Sequence, residues 1–285
     1  MKNTCKKILC GVLALATTVG SVGMMTACET KNPEVSMKLE FNGKTYTLEY
    51  KLYRQITPQT VNHFLKLVEK HYYDNLCIHD YDEGSEKLYT GGYKYINNEL
   101  VEKDYYSTVA TYGSFPYSVW ADADKKSPLY NLAGEFADNN FYVGAVDSTT
   151  GKRGNEKALK QTFGALTMYY TPKSSEEEVV TSRLSDGKAI WKDYKYNSAT
   201  SLFSISISQT EKVDEGFCTF ATLKSGSVDD LQALLDAIDE AGNDRTLKEV
   251  AINENDPFEE AFAKTLEYSV PNMPIIITSM SVIKY

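Results

Sequence analysis

The sequence predicts a mainly β protein, a closed barrel with capping helices. Most of the patterned segments alternate apolar and polar residues, as strands do, and fewer show the three-to-four spacing of a helix. Their order along the chain is strand, helix, many strands, helix and strand. This order fits a closed barrel with capping helices better than alternating β-α units. With 285 residues, 42% of them hydrophobic, the chain can form one large domain or two small ones.

The first patterned segment, residues 36–53, predicts a β-hairpin. Its sequence SMKLEFNGKTYTLEYKLY alternates apolar and polar residues on both sides of Asn42-Gly43. An Asn-Gly pair favours the tight turn of a two-residue hairpin loop, so we expect two paired strands. The apolar positions that would face one side are Met37, Leu39, Phe41, Tyr46, Leu48, Tyr50 and Leu52.

Residues 57–73, TPQTVNHFLKLVEKHYY, change to helical spacing. Thr57 suits the N-cap and Pro58 the first helical position, which predicts an amphipathic helix packed on a sheet. We expect His63 and His71 to be solvated on its opposite face, among charged residues. The apolar face consists of Val61, Phe64, Leu65, Val68 and Tyr72.

The rest of the chain predicts further strands, two helices and two irregular regions. Residues 94–161 are rich in Tyr, Asp, Asn, Gly and Ser and predict loops and short elements, and residues 171–197 predict an exposed excursion. The alternation of LFSISIS predicts a half-buried strand over residues 202–208. The other predicted strands are 162–170, 217–223 and 274–285, and the predicted helices are 227–242, with Ser227 at the cap, and 256–268.

The N-terminal residues 1–27 predict a secretory signal. Three lysines precede an apolar stretch, which is too short and too rich in Gly and Thr to predict a membrane span. The sequence MTAC resembles a bacterial lipobox, which would place a lipid on Cys28. We therefore expect a tether over residues 28–36, a domain over 37–285, and a lipid-anchored protein on the outer face of the bacterial cytoplasmic membrane.

The formal charge of −9 argues against nucleic acid as a partner, because phosphate binding needs a basic surface. Removing the signal would remove three lysines and no acid, making the charge more negative. Of the five cysteines only Cys77 and Cys218 would remain in the domain, enough for one disulfide but not for a disulfide framework. The acidic sequence HDYDE at 79–83 lacks the spacing of a calcium loop, so no metal or other cofactor is predicted.

Six stretches of the chain, several of which contain the elements predicted above, resemble in order the motifs of the cyclophilin family. The resemblance implies an eight-stranded antiparallel β-barrel closed by two helices, with loop insertions at about 94–130 and 171–196. It also implies cis/trans isomerisation of peptide bonds before proline, with a proline-containing peptide or unfolded protein segment as partner. The stretches are KLYRQITPQTVNHFLKLVEKHYYDNLCIH, LYTGGY, LAGEFADNNF, FGALTMYY, SATSLFSISIS and VDEGFCTFATL, which begin at residues 51, 88, 132, 163, 198 and 213.

The catalytic positions of the family map onto His79, Asp80 and Thr90. The family has Phe-His-Arg where this chain has Ile78-His79-Asp80, so a carboxylate stands at the position of the catalytic arginine. An ionised carboxylate is only an acceptor and cannot replace the five donors of a guanidinium group. Thr90 stands in place of a glutamine. We therefore assign no catalytic residue with the family's function.

The peptide groove implied by the resemblance is also altered. Leu202 replaces a glutamine, Phe203 matches a phenylalanine and Ser204 replaces the next one, while Lys212 and Phe217 stand at a tryptophan and a histidine position. His79 and Phe203 are retained. The groove positions are His79, Tyr169, Leu202, Phe203, Ser204, Lys212 and Phe217.

These departures predict that the isomerase activity is weak or lost. A second hypothesis is a non-catalytic lipoprotein that holds a peptide or glycan in the altered groove, because tyrosine-lined grooves suit such ligands. A third is a scaffold that binds a partner protein through its insertions. The four arginines, Arg54, Arg153, Arg183 and Arg245, are the residues that could restore a guanidinium group to the groove.

Overall fold

The fold is described by a computed structural model in seven stretches of the chain. The predicted signal and Cys28 lie outside them, as do Arg153 and residues 256–264 of the last predicted helix. No helix within the seven stretches is long and apolar enough to cross a membrane. The stretches comprise residues 32–112, 118–141, 158–170, 177–183, 186–212, 216–251 and 265–285.

The described residues form a mainly β protein with three α-helices. Nine strands belong to one strongly curled antiparallel sheet, and the other strands form three small sheets. In chain order the elements are β1 (Glu34–Phe41), β2 (Lys44–Leu52), α1 (Pro58–Glu69), β3 (Leu76–Cys77), β4 (Asp80–Asp82), β5 (Lys87–Thr90), β6 (Tyr93–Ile96), β7 (Glu99–Glu102), α2 (Tyr105–Ala110), β8 (Val119–Trp120), β9 (Leu166–Met168), β10 (Glu178–Ser182), β11 (Ala189–Asp193), β12 (Phe203–Ser206), β13 (Cys218–Leu223), α3 (Val228–Glu240), β14 (Arg245–Ala251), β15 (Thr265–Pro271) and β16 (Ile276–Lys284).

One short segment, residues 76–82, closes the large sheet into a barrel. The strand order is β3-β16-β1-β2-β13-β9-β12-β5-β4, and its two edges, β3 and β4, are separated only by Ile78 and His79. The Ile78 amide donates to the Ile275 carbonyl at 2.9 Å, and the His79 amide donates to the Tyr89 carbonyl at 3.0 Å. The segment thus pairs with β16 through its first half and with β5 through its second. With β3 and β4 counted as one strand, the curled sheet has eight strands, which agrees with the predicted cyclophilin-like fold.

The first two strands form the predicted hairpin. Residues Asn42 and Gly43 have φ angles of 48° and 74°, the left-handed conformation that a two-residue turn requires. Across the hairpin Met37 lies opposite Leu48, and Leu39 lies opposite Tyr46. All seven predicted apolar positions are buried, so one face of the hairpin lines the core.

Two of the three predicted helices, observed as α1 and α3, pack on the barrel wall. In α1 all of the predicted apolar positions are buried, and in α3 Leu231, Leu234 and Ile238 are buried. The Ser227 hydroxyl, predicted as the cap of α3, instead accepts a hydrogen bond from the Glu49 amide at 2.9 Å. It therefore ties α3 to β2 and leaves its own helix without a side-chain cap.

The prediction for His63 was wrong, whereas His71 is exposed as expected. His63 is fully buried, because α2 and the residues after it cover that face of α1. The rings of Tyr105 and Tyr112 lie 5.9 and 6.4 Å from the His63 ring, and the Thr200 carbonyl lies 3.0 Å from its Nε2. Burial lowers the pKa of His63 to about 3.

The described parts of the two predicted insertions pair with each other. Strand β8 from the first pairs with β10 from the second, with Thr181 opposite Val119, and β11 completes a three-stranded sheet. The prediction that residues 171–197 form an exposed excursion was wrong at Val179 and Val180, which are fully buried. The pairing of the two insertions supplies the apolar partner that each alone would lack.

Two other predictions also need correction. Strand β12 is buried on both faces, because Ser204 and Ser206 are only 3% and 4% exposed, so it is not half-buried. The last predicted helix is wrong over residues 265–268, which belong to β15. Strands β14 and β15 form a hairpin, which we call the C-terminal hairpin, that packs beside β4.

Candidate functional site

The positions mapped from the family lie on and around one wall of the barrel, formed by β4, β5, β12 and β9. Because side chains alternate along a strand, the residues of this wall divide between two faces. Leu88, Phe203 and Met168 point into the core. Asp80, Tyr89 and Tyr169 belong to the opposite side, which we call the outer face; Asp80 is paired with Tyr89 in the register.

His79 is closed off from solvent. It is 2% exposed, and its ring packs edge-on against Tyr93 and Tyr268, with both ring centroids 4.8 Å away. Burial lowers the pKa of His79 to about 3, so the ring is neutral at ordinary pH. Among the described residues its Nδ1 has no hydrogen-bond partner. In this conformation His79 is not available to a peptide on the outer face.

Asp80 is half-buried and holds the C-terminal hairpin. Its Oδ1 accepts a hydrogen bond from the Ser269 amide at 2.8 Å. Desolvation raises the pKa of Asp80 to about 6, although the bond from Ser269 opposes this shift. Asp80 therefore accepts a backbone donor from a neighbouring strand, and does not donate toward a ligand.

The remaining catalytic position, Thr90, serves the barrel. It is fully buried, and its hydroxyl donates to the Cys77 carbonyl at 2.7 Å. The glycine after it, Gly91, has a φ of 101°, and a Cβ there would collide with the Ser201 carbonyl. The Thr-Gly-Gly sequence is thus explained by close packing against the start of β12.

The groove positions fall into buried and accessible groups. Phe203 is fully buried and packs 5.4 Å from both Phe64 and Tyr73, and Ser204 is also buried. Leu202 and Tyr169 are half-buried, while Lys212 is exposed and Phe217 is 42% exposed. The structure therefore does not bring these positions together in one open groove.

Two of the accessible positions, Tyr169 and Phe217, contact residues of β5. The Tyr89 and Tyr169 rings meet edge-on at 5.5 Å. Farther along the same wall, the Lys87 Nζ lies 4.0 Å from the Phe217 ring centroid, within the range of a cation-π interaction. The chemistry that remains available on the outer face is thus aromatic contact together with the Asp80 carboxylate.

The family assignment follows from comparison with known proteins. The model of the family "Cyclophilin type peptidyl-prolyl cis-trans isomerase/CLD" matches residues 36–256, more than half of the chain. The chain belongs to the cyclophilin family. No curated protein matched the chain.

Solved structures also resemble this cyclophilin. A Cryptosporidium parvum cyclophilin type peptidyl-prolyl cis-trans isomerase matches at 14% identity and a TM-score of 0.44, over 89% of this chain and 99% of that one. A structure of the same protein in the presence of the dipeptide Ala-Pro matches at 15% identity and a TM-score of 0.43, over 88% and 99%.

None of the described arginines of this cyclophilin contacts Asp80. The Arg245 guanidinium pairs with Glu83 and lies 4.6 Å from the Tyr81 ring centroid. The Arg54 Nε donates to the Asn62 side chain, and Arg183 pairs with Asp186. The outer face around Asp80 is therefore without a guanidinium group in the part of the chain that the structure describes.

The contribution of the C-terminal hairpin was missed at the level of sequence. Tyr268 covers His79 and the Ser269 amide binds Asp80, yet neither was predicted near the site. A signal was present, because Leu266, Tyr268 and Val270 alternate with polar residues. The acidic and apolar residues before this segment have helical spacing, and that pattern favoured a helix that ends at Tyr268.

The two domain cysteines are free and buried, so the disulfide that was open to them does not form. Burial raises the pKa of each thiol to about 12, which keeps both protonated and unreactive. The Cys77 thiol donates to the Tyr93 carbonyl at 3.3 Å. The described residues contain no group of His, Cys, Asp or Glu side chains that could hold a metal ion.

Proposed function

We propose that this protein is an extracytoplasmic cyclophilin, anchored through a lipid on Cys28, whose isomerase activity is weak or lost. The observation that carries the proposal is Asp80. It stands at the position that the family resemblance assigns to the catalytic arginine, and it accepts a hydrogen bond from the Ser269 amide. The anchoring and the location rest on the lipobox-like sequence before Cys28.

The chemistry of isomerisation explains why this exchange matters. Rotation about a peptide bond before proline crosses a barrier of about 18–20 kcal/mol that amide resonance creates. The family lowers it with a donor aimed at the prolyl nitrogen, which weakens that resonance in the twisted state. Asp80 offers only acceptor atoms when ionised. Losing one such transition-state donor costs roughly a hundredfold or more in rate.

The covering of His79 adds a second obstacle. The Tyr268 side chain lies against the His79 ring, and Tyr93 closes its other side. A substrate that used His79 would have to displace the C-terminal hairpin. The binding energy spent on that displacement would not be available to stabilise the transition state.

The decisive experiment is an isomerisation assay on the full chain purified in a non-ionic detergent. Refolding of a test protein limited by proline isomerisation, and NMR exchange of a proline peptide, would each be compared with an active cyclophilin in the same detergent. We expect rates at least a hundredfold below that control. Acceleration at a rate similar to the control would contradict the loss of activity.

A second candidate function is non-catalytic binding of a peptide or glycan on the outer face. The observation that favours it is the half-buried aromatic pair, Tyr89 and Tyr169, together with the exposed ring of Phe217, which contacts Lys87 of β5. Aromatic faces bind extended peptides and sugar rings with little loss of side-chain entropy. Titration of the full chain with proline peptides and with cell-wall sugars tests it, and absence of binding to both would reject it.

A further inference from the structure

One oxygen of the Asp80 carboxylate accepts a hydrogen bond and the other does not, within the described residues. Its Oδ1 binds the Ser269 amide, but its Oδ2 accepts no hydrogen bond, and the carboxylate forms no ion pair, within the stretches that the structure describes. The neighbouring acid on β4 is different. Both Asp82 oxygens accept hydrogen bonds from Ser85, at 3.1 Å from its amide and 2.6 Å from its hydroxyl. Asp80 is therefore the acid of this strand that keeps an acceptor available.

Removing such a carboxylate from water without a cation is unfavourable, and proteins normally pair or hydrogen-bond it. The cost is visible in the pKa of Asp80, which desolvation raises to about 6. A cationic ligand would supply the partner that the half-buried Asp80 carboxylate lacks among the described residues. Carboxyl groups with a raised pKa are common at functional sites.

Aromatic residues neighbour Asp80 on the outer face. Tyr89 lies directly opposite it in the strand register, and Tyr169 meets Tyr89 edge-on at 5.5 Å. Tyr268 lies beside it on the next hairpin. Burial raises the pKa of Tyr169, and Tyr89 and the charge of Asp80 raise it further. The faces of tyrosine rings attract cations, as a carboxylate does.

We infer that Asp80, Tyr89 and Tyr169 form a binding site for the cationic side chain, lysine or arginine, of a bound peptide. The carboxylate Oδ2 would accept from the ammonium or guanidinium group, and the two rings would contact its apolar stem and its charge. The formal charge of −9 on the chain would favour a basic peptide and disfavour an acidic one. The inference rests on the proposed function only in using the outer face of the barrel as a peptide surface.

The experiment measures the binding of labelled peptides to the full chain by fluorescence anisotropy. Four short peptides share one proline and differ in the residue on each side of it, which is Lys, Arg, Gln or Glu. We expect the Lys and Arg peptides to bind at least tenfold more tightly than the Gln peptide, and the Glu peptide to bind most weakly. The preference should shrink as salt is added, because the attraction is electrostatic.

Two matched variants locate the site. In Asp80→Asn an amide oxygen can still accept from Ser269 while the charge is lost, and we expect the tenfold preference to fall below twofold. In Asp229→Asn, an exposed acid on α3 is neutralised, and the preference should not change. If Asp80→Asn does not fold, the four peptides on the unmodified chain still decide.

Equal affinity for the Lys and Gln peptides, no binding of any peptide, or an unchanged preference in Asp80→Asn would each overturn the inference. These outcomes are distinguishable from failure of the proposed function. The isomerisation assay is read as a rate on neutral proline peptides, whereas the site is read as a difference in affinity between charged and neutral ones. A chain that isomerises proline rapidly could still show the preference, and an inactive chain could lack it.

Discussion

Asp80 shows how one residue can change the use of a surface while the fold stays the same. On β4 it keeps its place in the barrel, with its backbone paired to β5. Its side chain, however, holds the C-terminal hairpin through the Ser269 amide. An arginine at this position would present donors to an amide that is itself a donor. The exchange to an acid and the presence of the hairpin are therefore consistent with each other.

Restoring the family's arginine at position 80 tests the role of this contact. Asp80→Arg should not restore isomerase activity, and it should destabilise the protein by about 1–3 kcal/mol, because the partly buried Ser269 amide loses its acceptor. Asp80→Asn, which keeps an acceptor oxygen, should cost less than Asp80→Arg. Urea unfolding followed by circular dichroism measures both. Equal stability of Asp80→Arg and the unmodified chain would show that the contact contributes nothing.

The identity of Asp80 could be read from the sequence, but its partner could not. The strand position followed from the His79 motif, and the chemical conflict with the family followed from the residue type. Ser269 is 189 residues away, and its backbone amide has no sequence signature. The same holds for His63, whose neighbour Tyr105 belongs to an inserted helix 42 residues away. Periodicity within one helix gives no information about which distant element covers its polar face.

At the scale of elements, α1 begins at a carboxylate from a distant loop. Thr57, predicted as the N-cap, forms no side-chain cap. The two Glu135 oxygens instead accept from the amides of Gln59 and Thr60, at 3.0 and 2.9 Å. These are amides that the first turn of a helix leaves without a partner, and a negative charge there also suits the helix dipole. Glu135 therefore fixes the loop 132–139 to the start of α1.

The burial of Glu135 predicts a pH dependence of stability. Desolvation raises the pKa of Glu135 from 4.5 to about 7 in the folded chain. At Glu135 the folded state thus binds a proton more strongly than the unfolded state does. The stabilisation of the folded state by this proton grows as the pH falls through 7 and is complete below pH 4.5. It is lost again as the pH rises through 7. Relative to Glu135→Gln, the unmodified chain should gain about 2–3 kcal/mol of unfolding free energy between pH 8 and pH 5.

Urea unfolding of both proteins at several pH values gives this difference, in which contributions common to both chains cancel. The matched control is Glu178→Gln, which makes the same substitution at a residue exposed on β10. A difference that stays constant from pH 8 to pH 5 would contradict the raised pKa.

The C-terminal hairpin is the element that most changes access to the wall. Tyr268 is 5% exposed and contacts both His79 and Tyr93, while Leu247 on the paired strand is 71% exposed. Tyr268→Ala should cost about 3–5 kcal/mol, as is usual for removing a buried aromatic side chain. We expect much of this loss to appear as local opening, because the hairpin forms its own two-stranded sheet.

Amide hydrogen exchange measures that opening. In Tyr268→Ala the amides of Ser269 and of the other β15 residues should exchange faster, while those of β1 and β2 should change little. Leu247→Ala serves as the control on the same hairpin, and its exchange should match that of the unmodified chain. Uniform acceleration over the whole barrel in Tyr268→Ala would instead show that the hairpin opens only with global unfolding.

The elements that the sequence predicts well are those whose pattern is long and whose partner is adjacent. Strands β1 and β2 and helix α1 each have several apolar positions in one period, and the Asn42-Gly43 turn joins the first two. Strand β15 has three alternating apolar residues, which a preceding helical pattern outweighed. Strand β10 is buried by pairing with β8, which lies 62 positions away at Thr181 and Val119. The charged residues around β10 in the sequence suggested exposure instead.

At the scale of the whole molecule, the barrel core and the surface around it are built from different elements. Segment 76–82 closes the sheet, and the main core cluster inside it consists of apolar side chains from the strands and helices. The insertions and the C-terminal hairpin add sheets outside that core and do not interrupt its strand order. Changes on the outer face, such as Asp80 and Tyr169, are therefore tolerated without loss of the barrel.

The N-terminal end of the chain sets where this surface would act. Cys28 lies six residues before β1, whose first residue, Glu34, sits among Lys224 and Lys284 at 2.8 and 3.1 Å. If Cys28 carries a lipid, Cys28→Ser should move the protein from the membrane fraction to the soluble fraction and abolish the lipid mass on the mature N-terminus. Cys10→Ser is the matched control, because Cys10 lies inside the predicted signal and would be removed with it. Cell fractionation followed by mass spectrometry measures both variants. A Cys28→Ser protein that stays in the membrane fraction without lipid would show that something other than this cysteine holds it there.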